Sequence, residues 1–245
     1  MLKAVVFDMD ETLLQINLSA FIAVLARDES SLLAQIGRRD PFTVFAAYLR
    51  GMLDLQAGGR DGERTNRQIF DEGIERRCGV MLSDPVIADV LTYYEREVLP
   101  GRNDRVIQAG PMPGGIEAVE ACLDRGLAVG LFTNPSFSKA CIECRMRWAG
   151  IDALPFSHVT YMENSHHCKP DAAYYREALA AMGAAPEETL MVGNDPKRDF
   201  PKPDIGLATA YVGSGRPARA IWCGRMGDFA AQLDDIAAGF AGQTA

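Results

Sequence analysis

The sequence lacks any apolar stretch long enough to cross a bilayer, and this lack is the first constraint on what the chain does. Its first apolar run meets an acid at Asp8, which makes that run too short for the hydrophobic region of a secretory signal peptide. Internal repeats and low-complexity tracts are also missing. We therefore expect a cytosolic protein with no membrane partner.

Positive charge is scarce as well. The chain has 25 Lys and Arg against 33 Asp and Glu, which gives a net charge of -8. A general nucleic-acid binder normally shows a basic face, so we expect no nucleic-acid partner. With 245 residues, of which 48% are hydrophobic, the chain can form one large domain or a core with a smaller domain.

The six cysteines are too scattered for a disulfide framework, and in a reducing cytosol we expect free thiols at Cys78, Cys122, Cys141, Cys144, Cys168 and Cys223. Cys141 and Cys144 form a C-x-x-C pair, and a zinc site could be drawn from these two with His166, His167 and Cys168. The second group lacks regular ligand spacing, however. The favoured interpretation places Cys141 and Cys144 one turn apart on a helix that faces the core.

Apolar runs alternate with helical patterns at both ends of the chain. The expected strands cover residues 3–7, 128–133, 156–160, 189–192 and 208–212. The expected helices run from about 115 to Gly126, up to Gly150, from Pro170-Asp171 to Gly183, and from 228 to 240. This alternation predicts an α/β fold with a doubly wound, mainly parallel, Rossmann-like sheet.

Residues 17–108 show helical patterns and no strand pattern. Thr65 and Gln68 have the form of a capping box, and Asp84-Pro85 places a cap before a first-turn proline. Four or five helices are expected here. We predict a catalytic core made of residues 1–16 and 109–245, interrupted by a helical insert of residues 17–108.

Polar side chains collect where the predicted strands end. The residues are Asp8 and Asp10 after the first strand, Thr133 and Asn134 after the second, Asn194, Asp195 and Asp199 after the fourth, and Lys169 just before a helix. Ligands bind at that edge of an open parallel sheet. Carboxylates can hold Mg²⁺ there, and a lysine and a hydroxyl can offset phosphate charge. The pattern therefore suggests metal-assisted phosphoryl chemistry.

Each residue also has a plainer interpretation when it is taken alone. An Asp-x-Asp after a strand is often a turn, and a lysine is usually a solvated surface residue. Asp171 is better interpreted as a helix cap than as a catalytic acid. Only the joint occurrence of these residues at strand ends favours a site.

Four segments resemble the motifs of the haloacid dehalogenase-like hydrolases, in the order of that family. Phe7–Leu13 looks like the first motif and Leu131–Asn134 like the second, while Lys169–Asp171 and Val192–Asp199 are similar to the third and fourth. The insert sits where that family places its type 1 helical cap. The resemblance covers residues 1–16 and 109–245.

The resemblance implies a magnesium-dependent phosphatase acting on a small phosphorylated metabolite. It implies three catalytic residues: Asp8 as nucleophile, Asp10 as general acid and base, and Lys169 as the cation that balances the carboxylates and the transferring group. The implied phosphate-binding residues are Met9, Thr133, Asn134 and Lys169, and the implied Mg²⁺ ligands are Asp8, the main chain of Asp10, and Asp195. Asn194 is the alternative ligand because the family often has an acid at that place, and Asp199 is expected behind the ligands.

Two segments depart from the family pattern. Prolines at 201 and 203 oppose the short helix that normally follows the fourth motif, so we expect a rigid loop over Phe200–Asp204. His166 or His167 could contact substrate, although adjacent histidines point in different directions. Arginines of the insert could meet an anionic substrate or simply be solvated: Arg38, Arg39, Arg50, Arg60, Arg64 and Arg67.

Three rival functions fit the same residues. Haloacid dehalogenation uses an Asp nucleophile but needs no acid for the leaving halide, so Asp10 favours the phosphatase. A phosphomutase would use the same groups. A non-catalytic regulatory protein on the same core is opposed by the intact Asp8, Asp10, Thr133 and Lys169, while Asn194 and the proline loop after Asp199 leave it open.

Overall fold

The computed structural model describes residues 1–241, in which eight strands occur. In chain order they are β1 (Ala4–Phe7), β2 (Leu14–Gln15), β3 (Gly110–Pro111), β4 (Ala128–Leu131), β5 (His158–Val159), β6 (Thr189–Gly193), β7 (Ala208–Val212) and β8 (Ala220–Gly224). Six of them form one parallel sheet in the order β5-β4-β1-β6-β7-β8. The predicted α/β fold with a mainly parallel sheet is confirmed.

The helices of the described residues flank this sheet and fill the insert. They are α1 (Leu18–Gly37), α2 (Pro41–Asp54), α3 (Asn66–Cys78), α4 (Pro85–Tyr93), α5 (Gly115–Asp124), α6 (Lys139–Ala149), α7 (Ala172–Met182) and α8 (Met226–Ala241). A π-helical turn at Tyr94–Val98 and a 3₁₀ turn at Leu99–Arg102 follow α4, and further 3₁₀ turns occupy Met162–Asn164 and Pro186–Glu188. No helix within residues 1–241 has the length and apolar character that a membrane span requires.

The register of the central strands brings their ends together. β1 lies between β4 and β6, and Phe7 pairs with Leu131 on one side and with Val192 on the other. All four residues of β1 are buried, as expected for a parallel strand covered on both faces. The residues that directly follow these three strands therefore emerge at one edge of the sheet.

Local sequence signals mark most helix ends. Thr65 and Gln68 form the predicted capping box at the start of α3, and Asp84 caps α4 with Pro85 in its first turn. Asp171 accepts a hydrogen bond from the Ala173 amide and caps α7, as predicted. Gly150 and Gly183 end α6 and α7 in the left-handed conformation, which glycine adopts without strain.

Three strands were not predicted. β2 and β3 are two residues each and pair with one another antiparallel, and β8 extends the sheet at its edge. β4 and β5 are shorter than expected, because regular pairing ends at Leu131 and at Val159. As predicted, no helix follows Asp199 before β7.

The helices between Leu18 and Arg102 contribute most of a second apolar cluster, which also includes Met162 and Cys168. Leu33 of α1, Val44 of α2, and Phe70 and Ile74 of α3 are fully or almost fully buried in it. Tyr48 packs its ring edge-on against Phe70, with 5.1 Å between the ring centroids. Phe21 and Leu25 of α1 pack in the main core with the sheet, so the division into core and insert stays a prediction.

Candidate active site

A cavity of about 560 Å³ opens at the carboxyl ends of β1, β4 and β6. Its floor carries most of the predicted site residues: Asp8, Asp10, Asn134, Lys169, Asn194, Asp195 and Asp199. β1 lies between β4 and β6, which the chain reaches by crossovers in opposite directions. Open α/β sheets bind ligands at the edge where the crossovers diverge in this way. The fold therefore brings together acids, an amide and a lysine that the sequence distributes over almost 200 residues.

Lys169 lies at the centre of this floor. Its Nζ is 2.7 Å from Asp8 Oδ1 and 2.7 Å from Asp199 Oδ1, and the side chain is almost completely buried. Burial alone would lower the pKa of Lys169, but Asp199 and Asp8 outweigh it and raise that pKa. Lys169 is therefore a permanent cation between two carboxylates, and not the solvated surface lysine of the plainer interpretation.

Asp8 carries the most strongly perturbed carboxyl group of the floor. Burial raises the pKa of Asp8 to about 7; Lys169 opposes the shift, while Asp199 and Asp10 add to it. The Asp8 amide donates to the carbonyl of Val192 at 2.9 Å and fixes the residue at the strand end. A buried acid surrounded by further acids favours an additional cation nearby.

Asp199 connects Lys169 to the loop after β6. Its Oδ1 accepts from Lys169, and its Oδ2 accepts from the Asp195 amide at 2.8 Å. A Cβ at position 193 would lie 2.2 Å from Asp199 Oδ2, so only glycine allows this approach. Asp199 thus holds both the lysine and the backbone of Asp195, and its place behind metal ligands stays a prediction.

Asn134 ties the second strand end to the third motif. Its Oδ1 accepts from the Lys169 amide at 3.2 Å, and its Nδ2 donates to Ser136 Oγ at 2.9 Å. Gln56, which follows α2, donates to the same Ser136 Oγ at 2.9 Å. The Asn134 amide is therefore a fixed group of the cavity floor that also contacts the insert through Ser136.

Thr133 and Met9 are buried beneath this floor. The Thr133 carbonyl accepts from the hydroxyls of Thr160 and Tyr174, at 2.7 and 2.9 Å. Met9 has no exposed surface, and its carbonyl accepts from the amides that form the turn after β1. Neither residue lines the cavity as Asp8 and Lys169 do, so their phosphate-binding roles stay predictions.

Arg145 is a site residue that the sequence analysis missed. Its guanidinium pairs with Asp10 Oδ1, and the side chain has no exposed surface. It lies over the rings of Phe21 and Phe137, 5.1 and 4.9 Å from their centroids. One signal was available: Arg145 is flanked at helical spacing by buried Cys141 and Ala149, so a charge stands in the apolar stripe of α6.

Several other residues named from the sequence lie outside the cavity. His166 and His167 face Glu177, with Nδ1 to carboxylate distances of 2.6 and 3.5 Å.

All six cysteines are free, as predicted, and Cys141 and Cys144 are buried on α6. The insert arginines do not line the cavity either: Arg50, Arg64 and Arg67 pair with acids of the insert, and Arg60 bonds Asn66. Arg198, from the fourth motif, does line it.

The donor set fits a hard divalent cation with few protein ligands. Within residues 1–241, no three His, Cys, Asp or Glu side chains converge to form a metal site by themselves. Mg²⁺ needs only one or two carboxylates, because it keeps waters and takes substrate phosphate oxygens. Asp8, Asn194 and Asp195 line the same cavity; burial, and to a smaller extent the charges of Asp199 and Asp10, raise the pKa of Asp8, and a bound cation would oppose this shift.

Comparison with known proteins finds one hydrolase family and two phosphatases that are similar to this chain. A family model described as haloacid dehalogenase-like hydrolase matches residues 2–201. A glyceraldehyde 3-phosphate phosphatase of Methanocaldococcus jannaschii is 23% identical over 221 residues, which cover 88% of this chain and 87% of that protein. A phosphoserine phosphatase of Thermus thermophilus is 40% identical over 103 residues, covering 41% of this chain and 35% of that protein.

Solved structures share the fold at lower identity. A HAD phosphatase from Thermococcus onnurineus superposes with a TM-score of 0.56 at 19% identity, covering 97% of this chain and 99% of that one. An L-2-haloacid dehalogenase from Xanthobacter autotrophicus gives a TM-score of 0.51 at 15% identity, covering 96% and 99%. Phosphatases and dehalogenases share this fold, so the choice between the two reactions depends on the side chains of the cavity.

Proposed function

The chain belongs to the haloacid dehalogenase-like hydrolases, and from that premise we propose that it hydrolyses a small phosphomonoester with Asp8 as nucleophile. The observation that carries the proposal is the floor of the cavity. Asp8 is held there by Lys169 at 2.7 Å, with Asp10 lining the same space. The names of the two curated relatives, both phosphatases, support the same reaction class.

The proposed reaction has two steps. Asp8 attacks phosphorus and forms an aspartyl-phosphate, while Asp10 gives its proton to the leaving alcohol oxygen. Asp10 then takes a proton from water, which attacks the aspartyl-phosphate and releases inorganic phosphate. Both carboxyl groups are thereby restored. Dehalogenation needs no proton at the leaving group, so a carboxyl group in the place of Asp10 favours the phosphatase.

Lys169 and Asn134 are the proposed phosphate-binding side chains, because both lie on the cavity floor. Lys169 is the stronger of the two, since its charge is permanent and already directed at Asp8. Thr133 and the backbone of Met9 are proposed to complete the binding of the phosphate oxygens from below.

Mg²⁺ is the proposed cofactor. Asp8, the main-chain carbonyl of Asp10, and Asp195 would hold it, with Asn194 as the alternative to Asp195. Asp199 supports this set from behind through its hydrogen bond to the Asp195 amide. When bound, the ion would neutralise charge between nucleophile and phosphate.

The helical segment of residues 17–108 is proposed to act as a cap over a core of residues 1–16 and 109–245. Support comes from the cavity itself, because side chains of α1 and α2 form the wall that faces the strand ends. A cap in this position excludes water and selects the alcohol part of the ester.

Hydrolysis of a generic phosphomonoester with Mg²⁺ tests the proposal. We expect the wild-type protein to release inorganic phosphate, and Asp8→Asn to reduce release to background because the amide cannot attack phosphorus. Asp89→Asn on the exposed side of α4 is the matched control and should keep full activity. Equal activity in Asp8→Asn, or full activity in excess chelator, would contradict the mechanism.

The same protein separates the rival reactions. Incubation with a short 2-haloacid should release no halide beyond the buffer rate. Incubation with a sugar phosphate should yield free phosphate and not an isomeric ester, which is the product of a mutase. Halide release that depends on Asp8 would identify a dehalogenase. An isomerised ester without free phosphate would identify a mutase.

A further inference from the structure

The wall of the cavity that faces the catalytic floor is apolar. Six side chains form it: Leu18 and Ile22 of α1, Leu49, Met52 and Leu53 of α2, and Phe137 from the loop before α6. They come from three separate elements yet present only carbon and sulfur to the space. The part of a substrate that lies beyond its phosphate must therefore contact this wall.

Three polar groups of the lining outside the floor contact one another. Gln56 donates to Ser136, and Arg198 donates to Gln56 Oε1 at 3.5 Å, so these three form one connected group. Glu11 accepts from the Ile16 amide at 3.0 Å. These polar groups lie outside the apolar wall, whose six side chains carry no hydrogen-bonding group.

Two side chains of the wall are more exposed than apolar side chains that only pack a helix against its neighbours. Leu49 is 37% exposed and Leu53 is 62% exposed, although both line the cavity. They lie one turn apart on α2, and therefore form a continuous surface. Exposed apolar surface of this kind at the mouth of a cavity is characteristic of a ligand-binding groove.

We infer that the substrate is the phosphate ester of an alcohol whose carbon skeleton is largely apolar, and that the wall formed by Leu18, Ile22, Leu49, Met52, Leu53 and Phe137 binds that skeleton. This inference rests on the proposed function. A polyol or an amino acid that lay against this wall would lose hydrogen bonds to water that the six side chains cannot replace, which costs free energy for each group. An alkyl chain loses nothing comparable and gains from leaving water.

A series of n-alkyl phosphates measures how strongly the wall favours apolar substrates, because ethyl, butyl and hexyl alcohols are similar leaving groups that differ in apolar surface. Each methylene that enters the wall should raise kcat/KM by about fourfold, which corresponds to burial of one methylene. Hexyl phosphate should then exceed ethyl phosphate by on the order of a hundredfold. A hexitol phosphate and a phosphorylated amino acid should stay at or below the ethyl value.

Leu49→Asn tests the wall itself. It should flatten the dependence of kcat/KM on chain length, so that hexyl phosphate loses most of its advantage over ethyl phosphate. Phe42→Asn is the matched control: Phe42 is on the same helix, is 84% exposed and does not line the cavity, so the dependence should be retained. Thermal unfolding checks that each variant folds, and Leu53→Asn replaces Leu49→Asn if the latter does not.

The outcomes separate this inference from the proposed function. A flat alkyl series with Asp8-dependent hydrolysis of ethyl phosphate overturns the apolar substrate and leaves the phosphatase intact. Preference for the hexitol or amino acid ester overturns it in the same way. If no ester is hydrolysed in an Asp8-dependent manner, the proposed function fails, and the inference fails with it.

Discussion

Arg145 is a buried cation whose only charged partner in the described residues is Asp10. Burial alone would lower the pKa of Arg145, but Asp10 outweighs it and raises that pKa. The Nε and Nη1 atoms are buried without a hydrogen-bond partner, so the side chain bears a desolvation cost for a single contact. The rings of Phe21 and Phe137 confine the guanidinium from the sides. Such an arrangement fixes the direction of the Asp10 carboxyl group.

Arg145→Met should therefore lower kcat by about 10- to 100-fold, because a carboxyl group that is free to rotate is misplaced for proton transfer. KM should change less, since Arg145 does not line the cavity floor. Steady-state kinetics with saturating Mg²⁺ measures both constants. Methionine keeps the volume of the stem, so the effect reports the charge and not a cavity.

Arg147→Met is the control for this variant. Arg147 is exposed near the end of the same helix, and its substitution should leave kcat and the unfolding temperature unchanged. If Arg145→Met unfolds at a lower temperature but retains wild-type kcat, then Arg145 serves folding alone and does not position Asp10.

The acids, the amide and the lysine of the site could be predicted from the sequence, and the partner of Asp10 could not. Asp8, Asn134 and Asp195 each follow a readable strand, and parallel strands share one carboxyl edge. Arg145 lies on the helix after β4 and reaches Asp10 only through the packing of α6 beside the sheet. A long-range side-chain pair of this kind has no local signal that names its partner.

Helices were predictable where the residues that begin or end them lie close by in the sequence. The capping box of α3 and the glycines after α6 and α7 act within a few residues. β2 and β3 consist of two residues each, and only their mutual pairing across the insert makes them strands. β8 is half-buried along its whole length, and the short apolar run at 220–223 was the one signal from which it could have been predicted.

A buried pair of glutamates links four helical elements of the chain. Glu95 on the π-helical turn accepts from the Ser138 hydroxyl at the start of α6, and Glu29 of α1 accepts from the Tyr48 hydroxyl of α2 at 2.8 Å. Burial raises the pKa of Glu95 to about 7, and Arg67 opposes the shift. Burial and the charge of Glu95 raise the pKa of Glu29 well above its usual range. Both carboxyls are therefore more stable when protonated.

Stability should fall as pH rises, because a raised pKa in the folded state means that folding retains protons. The contribution of Glu95 is fully present below its unfolded pKa of 4.5 and is lost as pH rises through about 7. We expect the free energy of unfolding to drop by about 2 kcal/mol from this group between about pH 5 and pH 8. Urea denaturation at both pH values measures the drop.

Glu95→Gln should reduce that drop, because the amide is neutral at both pH values and can still accept from Ser138. The matched control is Glu97→Gln, an exposed residue on the same turn, which should retain the wild-type pH dependence. An unchanged pH dependence in Glu95→Gln would show that other groups determine it.

At the scale of the whole molecule, Asn66 joins α3 to two loops at the carboxyl edge of the sheet. It has no exposed surface, and its Nδ2 donates to the carbonyls of Pro135 and His167 at 3.0 and 3.1 Å. Its amide donates to the Ser165 carbonyl at 2.8 Å. Pro135 follows Asn134 in the chain, and His167 lies two residues before Lys169. The same side chain therefore joins α3 to both loops that carry floor residues.

Asn66→Ala should weaken the protein and its active site together. The carbonyls of Pro135 and His167 would lose their donor, which should lower the free energy of unfolding by about 1–3 kcal/mol. KM for the best alkyl phosphate should rise severalfold, since the apolar wall on the insert would no longer be fixed relative to Lys169.

Asn103→Ala removes an exposed asparagine that bonds only Ala109, so it should change neither quantity. Urea denaturation and steady-state kinetics on both variants provide the measurement. A loss of stability with an unaltered KM would mean that Asn66 secures the fold without setting the distance between wall and floor, and the wall would then depend on the Gln56–Ser136 hydrogen bond for its position.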